Sequence, residues 1–156
     1  MSNRIVLDSS VLIEYRKGAK LELLEALVAL PDVELCICQV IASEYLFHHL
    51  AIFGEKSPRT LKENNAIGNL FSLNPPMPFL EDFIWLEDNP GVLAMAVKLM
   101  EHYNLLPNDA FILSICKLHG VNALTSYDVQ DFEAPCRAEG IDLIQNVEGL
   151  INFMEK

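Results

Sequence analysis

The sequence predicts an α/β fold: a layered α/β/α domain with a central, mainly parallel sheet of four or five strands. Three observations carry this. Short, mainly apolar segments, such as "RIVL" at 4–7 and "IDLI" at 141–144, alternate with longer amphipathic segments of helical length. Strands with no polar face belong to parallel sheets covered on both sides, and a strand–helix alternation builds such layers. The third observation is size. The chain has 156 residues, 51% of them apolar, enough to bury a sizeable core in a domain of ordinary length, and residues 1–156 are expected to form one unit.

The elements follow in order. "RIVL" is a β-branched and aliphatic strand ending at Asp8, after which Ser9 and Ser10 offer helix caps. "SVLIEYRKG" reads as a short helix stopped by Gly18, and "KLELLEALVAL" at 20–30 as a second, closed by Pro31. "VELCICQV" at 33–40 is strand-like, and a helix is expected over 40–53. Residues 54–78 are the least apolar and carry several prolines; they read as an arm on the core holding a helix from about Pro58 to Phe71. "FIWLED" at 83–88 fits a short strand or a loop. Helices are expected over 90–105 and 107–119, the second ended by Gly120 and followed by the strand "VNALTS". Residues 128–139 suit a short helix or turn, "IDLI" at 141–144 a last strand, and "VEGLINFME" a last helix.

Composition bounds the function. Eleven basic residues stand against 22 acidic ones, a net charge of −11. That argues against nucleic-acid binding through a wide basic surface, but not against an enzyme whose acidic site is neutralised by cations. No apolar run approaches the ~18 residues of a membrane span, and the N-terminus lacks a signal-peptide core, so a soluble, cytoplasmic protein is expected. Cys36, Cys38, Cys116 and Cys136 fall on apolar stripes without zinc-motif spacing and read as reduced core thiols.

Four acids draw attention by position. Asp8 closes the first strand. Glu44 falls on a helical face with Ile37, Val40, Ile41, Phe47, His48 and Ala51, where a carboxylate is costly unless paired or metal-bound; the other reading rotates the helix and leaves Glu44 at the solvent boundary. Asp109, in "LLPNDAFILSIC", shares a stripe with Ile112, Leu113 and Cys116, although an acid after Pro107 also suits a helix start. Asp128 follows the strand "VNALTS". In parallel α/β sheets ligands gather beyond the carboxyl ends of the strands, where these acids fall. Hard carboxylate oxygens suit Mg²⁺ or Mn²⁺, and a pair of such ions supports phosphodiester hydrolysis without a Ser, His or Cys nucleophile.

Taken together, "IVLDSSVLIEY", "VIASEYL", "LLPNDAFILSICKLHG" and "ALTSYDVQDFE" resemble the PIN-domain family, especially toxin ribonucleases of the VapC type. The resemblance covers residues 4 to about 145. It implies a metal-dependent endoribonuclease that leaves 5′-phosphate and 3′-hydroxyl ends, with Asp8, Glu44, Asp109 and Asp128 as catalytic residues and ligands of Mg²⁺ or Mn²⁺. In "SYDVQDF" the fourth acid falls on Asp128, with Ser126 as a supporting hydroxyl and Asp131 as runner-up. It further implies an RNA substrate, an antitoxin protein as partner and a homodimer. Arg16, Lys17, Lys56, Arg59 and Lys62 are the candidates for contact with RNA.

Rival readings are weaker. A haloacid-dehalogenase-type site needs a second Asp two residues after the first, where Ser10 stands, and a response-regulator site needs a lysine near the last strands, yet none lies between Lys117 and Lys156. A PIN-like module that binds RNA or protein without cutting is the alternative that keeps the fold.

Overall fold

The structure, a computed structural model, describes residues 2–156. Five parallel strands form one sheet: β1 (Asn3–Leu7), β2 (Val33–Ile37), β3 (Ile84–Trp85), β4 (Ala123–Thr125) and β5 (Asp142–Ile144), in the order β3-β2-β1-β4-β5. Helices α1 (Ser9–Arg16) and α2 (Glu22–Val28) connect β1 to β2; α3 (Gln39–Gly54), α4 (Pro58–Glu63), α5 (Ile67–Leu73) and α6 (Met77–Leu80) lead to β3. Helices α7 (Pro90–Tyr103) and α8 (Pro107–Leu118) lead to β4, α9 (Val129–Glu139) to β5, and α10 (Val147–Met154) follows. This is the expected layered α/β/α fold, with the sheet at five strands and wholly parallel.

The strand order places the chain's change of direction at β1. From it the chain moves outward to β2 and β3, then crosses to β4 and β5 on the other side. The carboxyl ends of β1 and β4, paired through Leu7 and Thr125, therefore flank the switch point where such sheets open a crevice. Ile5, Val6, Leu7, Ala123 and Leu124 have no exposed surface, and helices cover both faces. All four cysteines are buried free thiols, as expected, and burial pushes Cys36 up to about 11 and Cys136 up to about 12.

Three local expectations are corrected. The strand expected over 33–40 ends at Ile37, because Cys38 turns the chain and Gln39 begins α3. The single helix expected from Pro58 to Phe71 is two helices, broken where Asn65 takes a left-handed φ of 52°. Asn tolerates that conformation better than other non-glycine residues. The third correction is the phase of α3. Its buried face runs through Ile41, Ala42, Tyr45 and His49, while Phe47 is 58% exposed and His48 is exposed. The helix is rotated relative to the stripe drawn through Glu44, which sits half-buried at the boundary. Among the described residues no helix is long and apolar enough to cross a membrane.

Candidate metal-binding active site

Asp8 occupies the residue before α1, yet its side chain caps nothing in that helix. Its backbone N–H donates to the Thr125 carbonyl at 2.9 Å, extending the β1–β4 ladder by one step. The carboxylate is buried, 5% exposed, and turns toward β4. Its Oδ2 accepts from Ser126 Oγ at 2.7 Å and from Ser10 Oγ at 2.8 Å. Among the described residues nothing donates to its other oxygen. The same hydroxyls reach back to the opposite loop: Ser126 Oγ accepts the Asp128 N–H at 2.9 Å, and Ser10 Oγ the Tyr127 N–H at 3.1 Å. Asp8 and Asp128 are thus fixed by one small network spanning the switch point.

Glu44 enters from α3. Ser9 Oγ donates to its Oε1 at 3.2 Å and Asn108 Nδ2 to its Oε2 at 3.3 Å. Asp109 enters from the first turn of α8, where Pro107 and Asn108 precede it. Asp128 stands at the start of α9 without capping it, and Asp131 lies in that helix's first turn. One carboxylate oxygen from each of Asp109, Asp128 and Asp131 lies within 4.8 Å of the others, close enough to share a cation.

Electrostatics ties the groups into one site. Burial first, then the charges of Asp8, Asp128, Asp131 and Glu44, push the Asp109 carboxyl from 3.8 up to about 7. Asp128 is also raised, by desolvation and by Asp131 beside it. Asp109 therefore lies where the other acids' fields overlap, and no cation among the described residues offsets them. Such crowding of anions costs stability unless a cation neutralises it. An all-oxygen donor set of carboxylates is the kind that Mg²⁺ and Mn²⁺ take.

The structure brings Asp8, Glu44, Asp109, Asp128, Ser126 and Asp131 together at one edge. It places Asp131 beside Asp109 and Asp128, closer to the centre than a supporting role implies. Of the basic candidates, Arg16 is not a free charge at the mouth. Its guanidinium lies 5.1 Å from the centre of the Phe53 ring and 4.9 Å from that of Phe79. Lys17 pairs with Glu14 at 3.7 Å and Arg59 with Glu63 at 3.1 Å. Lys56 and Lys62 are exposed, Lys62 lining a groove on the arm with Phe47 and Leu50. Sequence reading missed Ser9, Ser10 and Asn108. It gives Ser9 and Ser10 as helix caps, and Ser10 as the place of an absent second Asp, although a hydroxyl two residues beyond a carboxylate is placed to bond it.

An acid-lined crevice at the switch point of a parallel α/β/α sheet defines the class. A family model for the PIN domain matches residues 5–137. The chain belongs to the PIN domain family. It is 28% identical over 145 residues to ribonuclease VapC2 of Methanocaldococcus jannaschii, covering 92% of this chain and 94% of that one. The fold is shared with VapBC2 from Rickettsia felis, solved bound to a DNA fragment from its promoter: TM-score 0.61, 14% identity, 90% of this chain and 96% of that one. It is also shared with VapBC-1 from nontypeable Haemophilus influenzae, at TM-score 0.58 and 16% identity, with the same coverages of 90% and 96%.

Proposed function

We propose that this chain is a divalent-cation-dependent endoribonuclease that hydrolyses RNA phosphodiester bonds to 5′-phosphate and 3′-hydroxyl ends, and that it is the toxin of a toxin–antitoxin pair. The convergence of Asp8, Glu44, Asp109, Asp128 and Asp131, from four separate segments, onto one crevice carries this reading. The name of the archaeal relative, a ribonuclease, agrees with it.

Asp109, Asp128 and Asp131 would hold a cation together, with Asp8 and Glu44 on the facing wall. Bound divalent ions lower the pKa of a coordinated water and offset charge on the scissile phosphate and leaving oxygen. The chain's own residues supply orientation. Ser126 and Ser10 fix Asp8 by one oxygen and leave the other free, while Ser9 and Asn108 hold Glu44. Ligands fixed beforehand need no reorganisation when substrate arrives. Residues 1–156 act as one unit, with 54–78 as its arm. An antitoxin protein is the partner in this reading, in keeping with the toxin–antitoxin complexes that share the fold. A homodimer working in the cytoplasm completes the reading.

The test is cleavage of structured and unstructured RNAs with Mg²⁺ or Mn²⁺, with end-group analysis and an EDTA control. Metal-dependent cuts bearing 5′-phosphates, lost in Asp8→Asn, are expected. RNA bound but left intact under every metal condition would overturn the nuclease and favour the non-cutting module.

A further inference from the structure

Beside the acidic crevice, on the β5 side, lies a second recess of about 530 Å³, lined in part by Lys20, Glu22, Tyr127, Gln145, Asn146 and Glu148. Its position ties it to the acids. Tyr127 stands between Ser126 and Asp128, and its N–H is held by Ser10, the hydroxyl that also donates to Asp8. Gln145 follows Ile144, whose carbonyl accepts the Ser126 N–H at 3.0 Å. Consecutive Cα atoms are about 3.8 Å apart, so the recess begins one residue from Asp128.

Its lining has a particular chemistry. The Lys20 ammonium lies 4.3 Å from the centre of the half-buried Tyr127 ring. Lys20 is exposed and makes no ion pair among the described residues, although the chain is strongly acidic. Gln145, Glu22 and Glu148 are exposed around it. The Asn146 side-chain Oδ1 accepts the Gly149 N–H at 2.7 Å, so its side-chain amide N–H groups remain to donate elsewhere. An aromatic face stacks a nucleobase of any kind. A carboxylate accepts from the exocyclic amine of cytosine, whereas uracil presents a carbonyl oxygen at that position, which a carboxylate repels. A cation on a flexible stem can leave the ring for a phosphate as the base arrives.

We propose that this recess binds one nucleobase of single-stranded RNA adjoining the scissile phosphate. Tyr127 stacks the base, Lys20 moves to the neighbouring phosphate, and Glu22 and Glu148 select an amine-bearing base over uracil. The inference rests on the nuclease reading for its place in the reaction, but its binding step is tested separately.

Cytidine and uridine 5′-monophosphates contain no phosphodiester to cut, so they probe the recess alone. Titrated in Mg²⁺ and followed by NMR of the whole chain, cytidine monophosphate is expected to shift the amides of Tyr127 and Gln145 and to bind several-fold more tightly than uridine monophosphate. Tyr127→Leu should weaken cytidine monophosphate roughly tenfold, while Tyr127→Phe, which keeps the ring, should bind nearly as the wild type. Paired Glu22→Gln and Glu148→Gln substitutions should narrow the preference. Equal binding of both nucleotides and of inorganic phosphate, or shifts confined to Asp109 and Asp128, would overturn the recess whatever the enzyme cuts. In the companion assay, wild-type cuts in mixed-sequence RNA should flank amine-bearing bases, and Tyr127→Leu should lose that bias. Wild-type protein that binds cytidine monophosphate selectively yet cuts no RNA would sink the nuclease reading and leave the base site standing.

Discussion

Asp109 is where one side chain reports the state of the whole crevice. In the metal-free protein its carboxyl is raised from 3.8 to about 7, chiefly by burial and then by its acidic neighbours. Below about pH 4 both folded and unfolded chains carry the proton. Between there and pH 7 the unfolded chain ionises and the folded one does not, so the proton's stabilising effect is lost as pH rises through that window. The shift is worth at most about 4 kcal/mol. Asp109→Asn removes it. In EDTA, this variant should melt at or above the wild-type temperature at pH 8 and match it near pH 4, as read by thermal unfolding across the pH range. A lower melting temperature at pH 8 would show that the acids do not crowd this position. Ser126 gives the complementary test, because its hydroxyl joins Asp8 to the backbone of Asp128. Groups that orient metal ligands commonly matter about 10–100-fold, so Ser126→Ala should lower kcat/KM by about that factor; losing its buried bonds to Asp8 and the Asp128 N–H should also cost about 1–3 kcal/mol of stability. A variant with full activity would remove Ser126 from the site.

At the scale of elements, the arm is fastened to the core by a buried polar chain. Tyr45 Oη lies 2.9 Å from His49 Nδ1, and His49 Nε2 lies 2.8 Å from the Asn74 carbonyl. The carbonyl can only accept, so Nε2 carries the proton and the tyrosine hydroxyl donates to Nδ1. Burial lowers the His49 pKa, which makes its contribution opposite in sign to that of Asp109: it is present above the ordinary histidine range and lost as pH falls through the folded value. His49→Phe keeps a ring but orphans both partners, and should cost about 2–3 kcal/mol in denaturant unfolding at pH 7.5. It should also flatten the acid side of the stability profile; an unchanged acid limb would place the loss elsewhere. This chain was invisible in the sequence because it depends on the phase of α3, which the stripe through Glu44 and Phe47 misjudged. The strand–helix alternation was legible, since burial on both faces writes apolar runs directly into the chain. The break at Asn65 and the two-residue β3 were not, because a backbone φ and an edge pairing leave little trace in hydropathy. Asp8 and Asp128 were legible by their place after strands, and Glu44 and Asp109 as acids on otherwise apolar helical stripes. Asp131's closeness to Asp109 was not, since it depends on how the first turn of α9 faces α8.

For the whole molecule, the net charge of −11 and the crowded crevice act in the same direction. A homodimer should use exposed apolar surface, and α7 offers Leu93 and Val97, 62% and 46% exposed. Light scattering that gives a monomer mass at micromolar concentration would exclude that assembly. The stronger expectation concerns cations. An ion that binds only the folded chain stabilises it by mass action, about 2.7 kcal/mol at a hundredfold excess over its dissociation constant. General screening of the acidic surface also stabilises, but monovalent salt provides it as well. Mg²⁺ or Mn²⁺ should therefore raise the melting temperature beyond KCl at equal ionic strength. The excess should be larger at pH 8 than at pH 5, because a protonated Asp109 must lose its proton before it can hold a cation. Asp128→Asn and Asp131→Asn should each reduce that excess, since both carboxylates lie within reach of the one on Asp109. If Mg²⁺, Mn²⁺ and KCl shift the melting curve equally at matched ionic strength, the acids form a charged surface and not a metal site.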